Sequence, residues 1–106
     1  MIAHVNGADG APEHVDDLVR VFREVGLPAC QAVAGFRGAF LLVDRVTGQW
    51  MDVTLWVDEA SLSEAFALAE ARIADGEASL RQIVATTHEG VIGRTYEVAA
   101  EGWPRE

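Results

Sequence analysis

Between Gly35 and Asp58 the chain runs GFRGAFLLVDRVTGQWMDVTLWVD, a pattern that admits few alternatives to two strands, a tight turn and the start of a helix. Phe36 to Val43 and Gln49 to Val57 are dense in Phe, Leu, Val, Trp and Thr. Asp44 to Gly48 supplies the turn, with Gly48 suited to a positive φ. Side chains alternate across a strand, so the second strand presents two faces of different kind. Met51, Val53, Leu55 and Val57 form an aliphatic row. Trp50, Asp52, Thr54 and Trp56 form the other, too aromatic to leave in water and too polar for an ordinary dry core.

The rest of the chain arranges itself around this hairpin. Ile2 to Asn6 is a strand pattern ended by Gly7 and Gly10, and Pro12 suits the first turn of a helix. Val15, Leu18, Val19, Phe22 and Val25 recur at helical spacing, and Gly26 followed by Pro28 predicts its stop. Asp58, or Ser61 with Glu64 as a capping box, can begin a second helix whose apolar stripe is Leu62, Ala65, Phe66, Ala69 and Ile73, closed by Gly76. Glu77 to Gly90 reads as an irregular connection, and Val91 to Ala99 as a last strand.

The order strand, helix, strand, strand, helix, strand is the α+β, ferredoxin-like βαββαβ plan, a four-stranded antiparallel sheet with both helices on one face. The aliphatic row of the third strand, with Ala3 and Val5, is expected to meet the helices. Trp50, Asp52, Thr54 and Trp56, with Ile2, His4 and Asn6, are then expected on the bare face, covered by a second copy of the chain.

Composition excludes several classes of function. One domain over 1-106 is expected, since a chain of this length buries roughly two thirds of its unfolded surface. A formal charge of -9 and a pI near 4.6 argue against a nucleic-acid partner. All eight basic residues are arginines, which excludes Schiff-base and phosphate-loop lysines. No apolar run approaches the roughly 18 residues of a membrane span, and neither expected helix has a basic face, so no membrane partner is expected. Cys30 is the single cysteine, the amino terminus lacks a leader pattern, and a cytoplasmic location follows as the default.

On GFRGAFLLVDRVTG and the strand DVTLWVDEA the chain resembles the dimeric α/β-barrel superfamily of antibiotic biosynthesis monooxygenases and small stress-responsive proteins. The resemblance implies homodimers that close a barrel around a hydrophobic, often aromatic, small molecule, and in some members oxygenation without metal, flavin or other cofactor. It carries catalytic roles to Asn6, Trp56 and Tyr96, on strands one, three and four. Haem-degrading relatives add a histidine on the second helix as iron ligand, and here Asp58 to Ile73 contains none. No cofactor is therefore expected.

The residues themselves suggest His4, Trp50, Asp52 and Thr54 as ligand-binding groups on the mixed face. An imidazole can act as a general base or hydrogen-bond a substrate, which suits His4 to a site, and Asp52 on an inner face must pair, with Arg37 or Arg94 as partners, or take a raised pKa. Either residue also suits a satisfied interface. A non-catalytic homodimer, with the tryptophan face as its glue, is the alternative. His14 and His88 read as surface residues and Cys30 as a small buried thiol; the three histidines lack metal-ligand spacing.

Overall fold

The computed structural model describes residues 1–105. Strands β1 (Ile2–Ala8), β2 (Phe36–Val43), β3 (Trp50–Trp56) and β4 (Ile92–Glu97) form one antiparallel sheet in the order β2-β3-β1-β4, which is the expected ferredoxin-like α+β arrangement. β1 pairs with β3 through Ile2↔Trp56, His4↔Thr54 and Asn6↔Asp52, and with β4 through His4↔Thr95 and Asn6↔Gly93. At the hairpin, the Asp44 N–H donates to the Gln49 carbonyl and the Gly48 N–H to the Asp44 carbonyl, both at 2.8 Å. Gly48 has φ 81°, and a side chain there would run into the backbone of Ala11 and Pro12.

The first helical stretch runs past its expected end. A 3₁₀ turn (Pro12–His14) leads into α1 (Val15–Val21), a π-helical turn (Phe22–Gly26) and α2 (Leu27–Gln31). Gly26 has ordinary helical angles, φ -65° and ψ -54°, so it stops nothing. A proline inside a helix clashes with the carbonyl four residues earlier and donates no hydrogen bond. The widened turn, in which the Leu27 N–H reaches back to the Phe22 carbonyl, comes just before Pro28 and lets the helix continue.

Helix α3 (Glu59–Ala74) starts at Asp58, whose carboxylate accepts from the Ser61 N–H at 2.9 Å and the Ser61 hydroxyl at 2.8 Å. These bonds hold the Asp58 carboxyl below its usual range. Glu77 to Gly90 is not irregular: it holds helix α4 (Ala78–Thr87). Two threonines obscured the pattern, yet the buried Thr87 hydroxyl donates to the Ile83 carbonyl at 2.8 Å and so satisfies itself within the helix.

The helices cover the face opposite to the one expected. Trp56 is 1% exposed and packs with Cys30, Val33, Leu62 and Ala65, with Ile2 and Phe36 alongside. The mixed row of β3 thus looks into the protein. Ala3, Val5, Phe40, Leu42, Met51, Val53, Leu55, Ile92, Arg94 and Tyr96 share the other face by register. No helix covers that face: Phe40 is 56% exposed and Ile92 69%. Aliphatic character argues for burial without saying against what, and the mixed row could go inward because Asp52, Thr54 and Trp56 find hydrogen-bond partners there, though Trp50 Nε1 is buried without one.

Candidate functional site between sheet and helices

Alternation on β1 and β3 brings His4, Asn6, Asp52, Thr54 and Trp56 to the helix side of the sheet, where the π-helical turn and α3 face them. His4 Nδ1 lies 2.9 Å from Thr95 Oγ1 and His4 Nε2 lies 3.1 Å from Asn6 Oδ1. Asn6 Nδ2 in turn donates to Asp52 Oδ1 at 3.2 Å. An amide oxygen only accepts, so His4 Nε2 carries a proton, and in the neutral ring Thr95 donates to Nδ1. The chain Thr95, His4, Asn6, Asp52 is thereby closed at every link. One oxygen of Asp52 remains for a ligand.

Two sequence features make room for this chain of bonds. Gly93 of β4 lies beneath it: a methyl group there would run into Asn6 Oδ1 and stand 3.0 Å from His4 Nε2. Phe66 of α3 meets His4 edge-on, ring centroids 5.2 Å apart and planes at 90°, and is 43% exposed, at the mouth of the space. Trp56 Nε1 donates to Thr54 Oγ1 at 2.7 Å, which fixes the indole and leaves the threonine proton free to turn toward a guest.

Between sheet and helices lie two adjoining lobes, of about 110 and 220 Å³. Both touch Asn6, Asp52, Phe22, Gly26, Phe66 and Ala69. The smaller adds His4, Thr54, Trp56 and Cys30; the larger adds Leu18, Val21, Val25, Leu41, Ile73 and Val84, with Glu70 and His88. Burial raises the Asp52 pKa, opposed by the Asn6 hydrogen bond and by His4. The Cys30 thiol is pushed up to about 11 by burial and then by the negative charge of Asp52, which makes it a wall and not a nucleophile. Among the described residues no group of three His, Cys, Asp or Glu is placed to hold a metal ion.

The structure gathers His4, Asn6, Asp52, Thr54 and Trp56 and leaves out two of the residues singled out from sequence. Tyr96 pairs with Ala3 and points to the open face, so it cannot reach this cavity. Trp50 shares the helix side but sits at the other end of β3, 4% exposed, its ring 5.3 Å from that of His88. Neither arginine pairs with Asp52: Arg37 donates to the carbonyls of Ala34 and Phe36, and Arg94 is on the open face. His88 was missed. It follows α4, half-buried, its pKa lowered by burial against an opposing backbone hydrogen bond at Val84, and only recognition of α4 would have turned it inward.

Comparison with solved structures fits this arrangement. SnoaB, a cofactor-independent oxygenase from Streptomyces nogalater, superposes with a TM-score of 0.63 at 16% identity, covering 98% of this chain and 97% of SnoaB. An antibiotic biosynthesis monooxygenase gives 0.64 at 16% identity over 94% of this chain and all (100%) of that one. The chain shares the fold of these structures. A point mutant of MhuD, with two manganese protoporphyrin IX groups per active site, shares this fold at a TM-score of 0.71 and 15% identity, covering 98% of this chain and 100% of MhuD. No protein-family model matches the sequence, and no curated protein does. The likeness is therefore one of fold, which by itself assigns no function. No helix in the described residues is long and apolar enough to cross a membrane.

Proposed function

We propose that this protein is a homodimer in which each sheet–helix cavity binds an apolar, aromatic small molecule and oxygenates it without a metal or flavin. The observation that carries the reading is one buried carboxylate with a raised pKa, held by Asn6 and facing an otherwise apolar cavity. A base whose pKa is lifted toward the working pH abstracts protons efficiently. Asp52 takes a proton from an acidic carbon of the substrate, the carbanion gives an electron to dioxygen, and recombination followed by loss of water turns a methylene into a ketone. Both oxygen atoms and all electrons are then accounted for by substrate and dioxygen. Asn6 orients Asp52, His4 and Thr95 hold Asn6, and Trp56, Phe22 and Phe66 wall off water.

SnoaB, with the same fold and cofactor-independent oxygenase activity, supports the reading by analogy. Haem, the kind of group seen in MhuD, does not fit this cavity. No arginine lines either lobe to meet a porphyrin's carboxylates, and the ionisable acids present, Asp52 and Glu70, would repel them. The open aliphatic face supports the dimer, since contiguous exposed apolar surface of this extent marks an interface. The lone thiol keeps a cytoplasmic protein as the setting.

Oxygen consumption with an anthrone as probe tests this. Uptake should survive chelation and fall by about a hundredfold or more in Asp52→Asn, the usual worth of a general base. Uptake that is absent, or unchanged in that variant, would defeat the oxygenase reading. A non-catalytic homodimer is the second reading, favoured by the same open face, which needs no chemistry to explain it; Trp50 and Trp56 are not its glue, because both are buried within the one chain.

A further inference from the structure

The two lobes differ in what lines them, and the difference specifies a ligand more closely than "aromatic". Phe22 and Phe66 border both lobes, and the smaller adds the flat indole of Trp56 and the hydroxyl of Thr54. The larger offers aliphatic side chains from four directions: Leu18 and Val21 of α1, Leu41 of β2, Ile73 of α3 and Val84 of α4. They meet at Asn6 and Asp52, where the free carboxylate oxygen is the one polar feature not already bonded within the chain Thr95, His4, Asn6, Asp52. A guest that fills both lobes has a ring at one end, an apolar chain at the other, and a hydrogen-bond donor near their junction.

Charge narrows the class again. Among the described residues that line the two lobes there is no arginine, while Asp52 and Glu70 are both present. A buried carboxylate on the ligand would meet like charge and find no cation, a cost no hydrophobic contact of this size offsets. His4 and His88 are the titratable bases within reach, and His4 already spends both ring nitrogens on Thr95 and Asn6.

Resting on the proposal that this cavity binds an aromatic small molecule, we infer that its ligand is a neutral hydroxylated ring bearing an aliphatic chain, the ring against Trp56 and Phe66, the hydroxyl on Asp52 and the chain along Leu18, Val21 and Ile73. The chain length is read by the larger lobe, so affinity rises with each added methylene until that lobe is full and then levels or falls.

A 2-alkylphenol series from phenol upward, whose hydroxyl lies beside the chain as the junction requires, titrated against the full chain by calorimetry, tests this. About fourfold tighter binding per methylene is expected within the lobe, the worth of burying one CH₂ group. Ile73→Trp should end the rise at a shorter chain, and Val84→Trp should do the same if the first variant folds poorly. A 2-alkylbenzoate of matching chain length should bind at least about tenfold more weakly than the phenol, from the like charge it meets. Equal binding along the series, or benzoate as good as phenol, would overturn the inference while leaving the cavity's aromatic preference in place. No binding by phenol or by any homologue would remove both readings together.

Discussion

The two faces of the sheet are built from the same strands and solve burial in opposite ways. On the helix side Trp56, Asp52, Thr54, His4 and Asn6 mix large rings with polar atoms, and the polar atoms are tied to one another at 2.7 to 3.2 Å. On the open side Phe40, Leu42, Met51, Ile92 and Tyr96 stand in solvent with almost nothing polar between them; Arg94 is the exception. The first face is closed within one chain and encloses a cavity. The second can be closed only from outside. A polar group is cheap to bury once paired, whereas an apolar surface of any size is costly to leave wet, so hydrophobicity alone misjudges which face a fold will cover.

The contrast can be broken most severely at Trp56. Its replacement by alanine should cost about 3 to 5 kcal/mol, the usual penalty for emptying a buried aromatic site, as measured by chemical denaturation. A loss under 1 kcal/mol would show that the helix side is not the core. Gly93→Ala strikes the same face from below, pushing on Asn6 and His4; a loss of about 1 to 3 kcal/mol is expected from overpacking, together with loss of ligand binding. An unchanged denaturation midpoint would mean that the His4–Asn6 pair does not lie on Gly93.

The pH profile sharpens the comparison with a smaller effect. Asp52 has a folded pKa raised above its unfolded value by burial, so between those two values the folded state holds more protons than the unfolded one. Stability contributed by this group is therefore intact below the unfolded pKa and is lost as pH rises through the folded one. Asp52→Asn should be more stable than the parent at neutral pH, and the difference should vanish in acid; a constant difference across that range would contradict the burial. The smallest effect on the monomer is expected from Phe40→Arg on the open face, within about 0.5 kcal/mol in the stability of one chain. Sedimentation should nevertheless show the variant as a monomer and the parent as a dimer. A dimer that survives would move the interface elsewhere.

The strand–turn–strand at Phe36 to Trp56 was legible because alternation, β-branched residues and a glycine at positive φ are local signals. So was the membership of each row, since register follows from a period of two. Helix α4 was not, because its stripe is short and its threonines hide it, and the passage of the first helix through Pro28 depended on a π-helical turn with no sequence mark. Of the candidate site, His4, Asn6, Asp52, Thr54 and Trp56 were named from sequence, Tyr96 and Trp50 belong elsewhere, and His88 was assigned to the surface.

By itself, then, the sequence determined the order of the four strands along the chain, the turn and which side chains travel together on a strand, all properties of neighbours along the chain. Only the tertiary structure decided which of the two rows the helices cover. Alternation makes the faces distinct but is blind to the direction in which a crossover lies, and that direction is set by how helices and sheet pack. It also decided that Asn6 and Asp52, far apart in sequence, share one hydrogen bond at the meeting of two lobes.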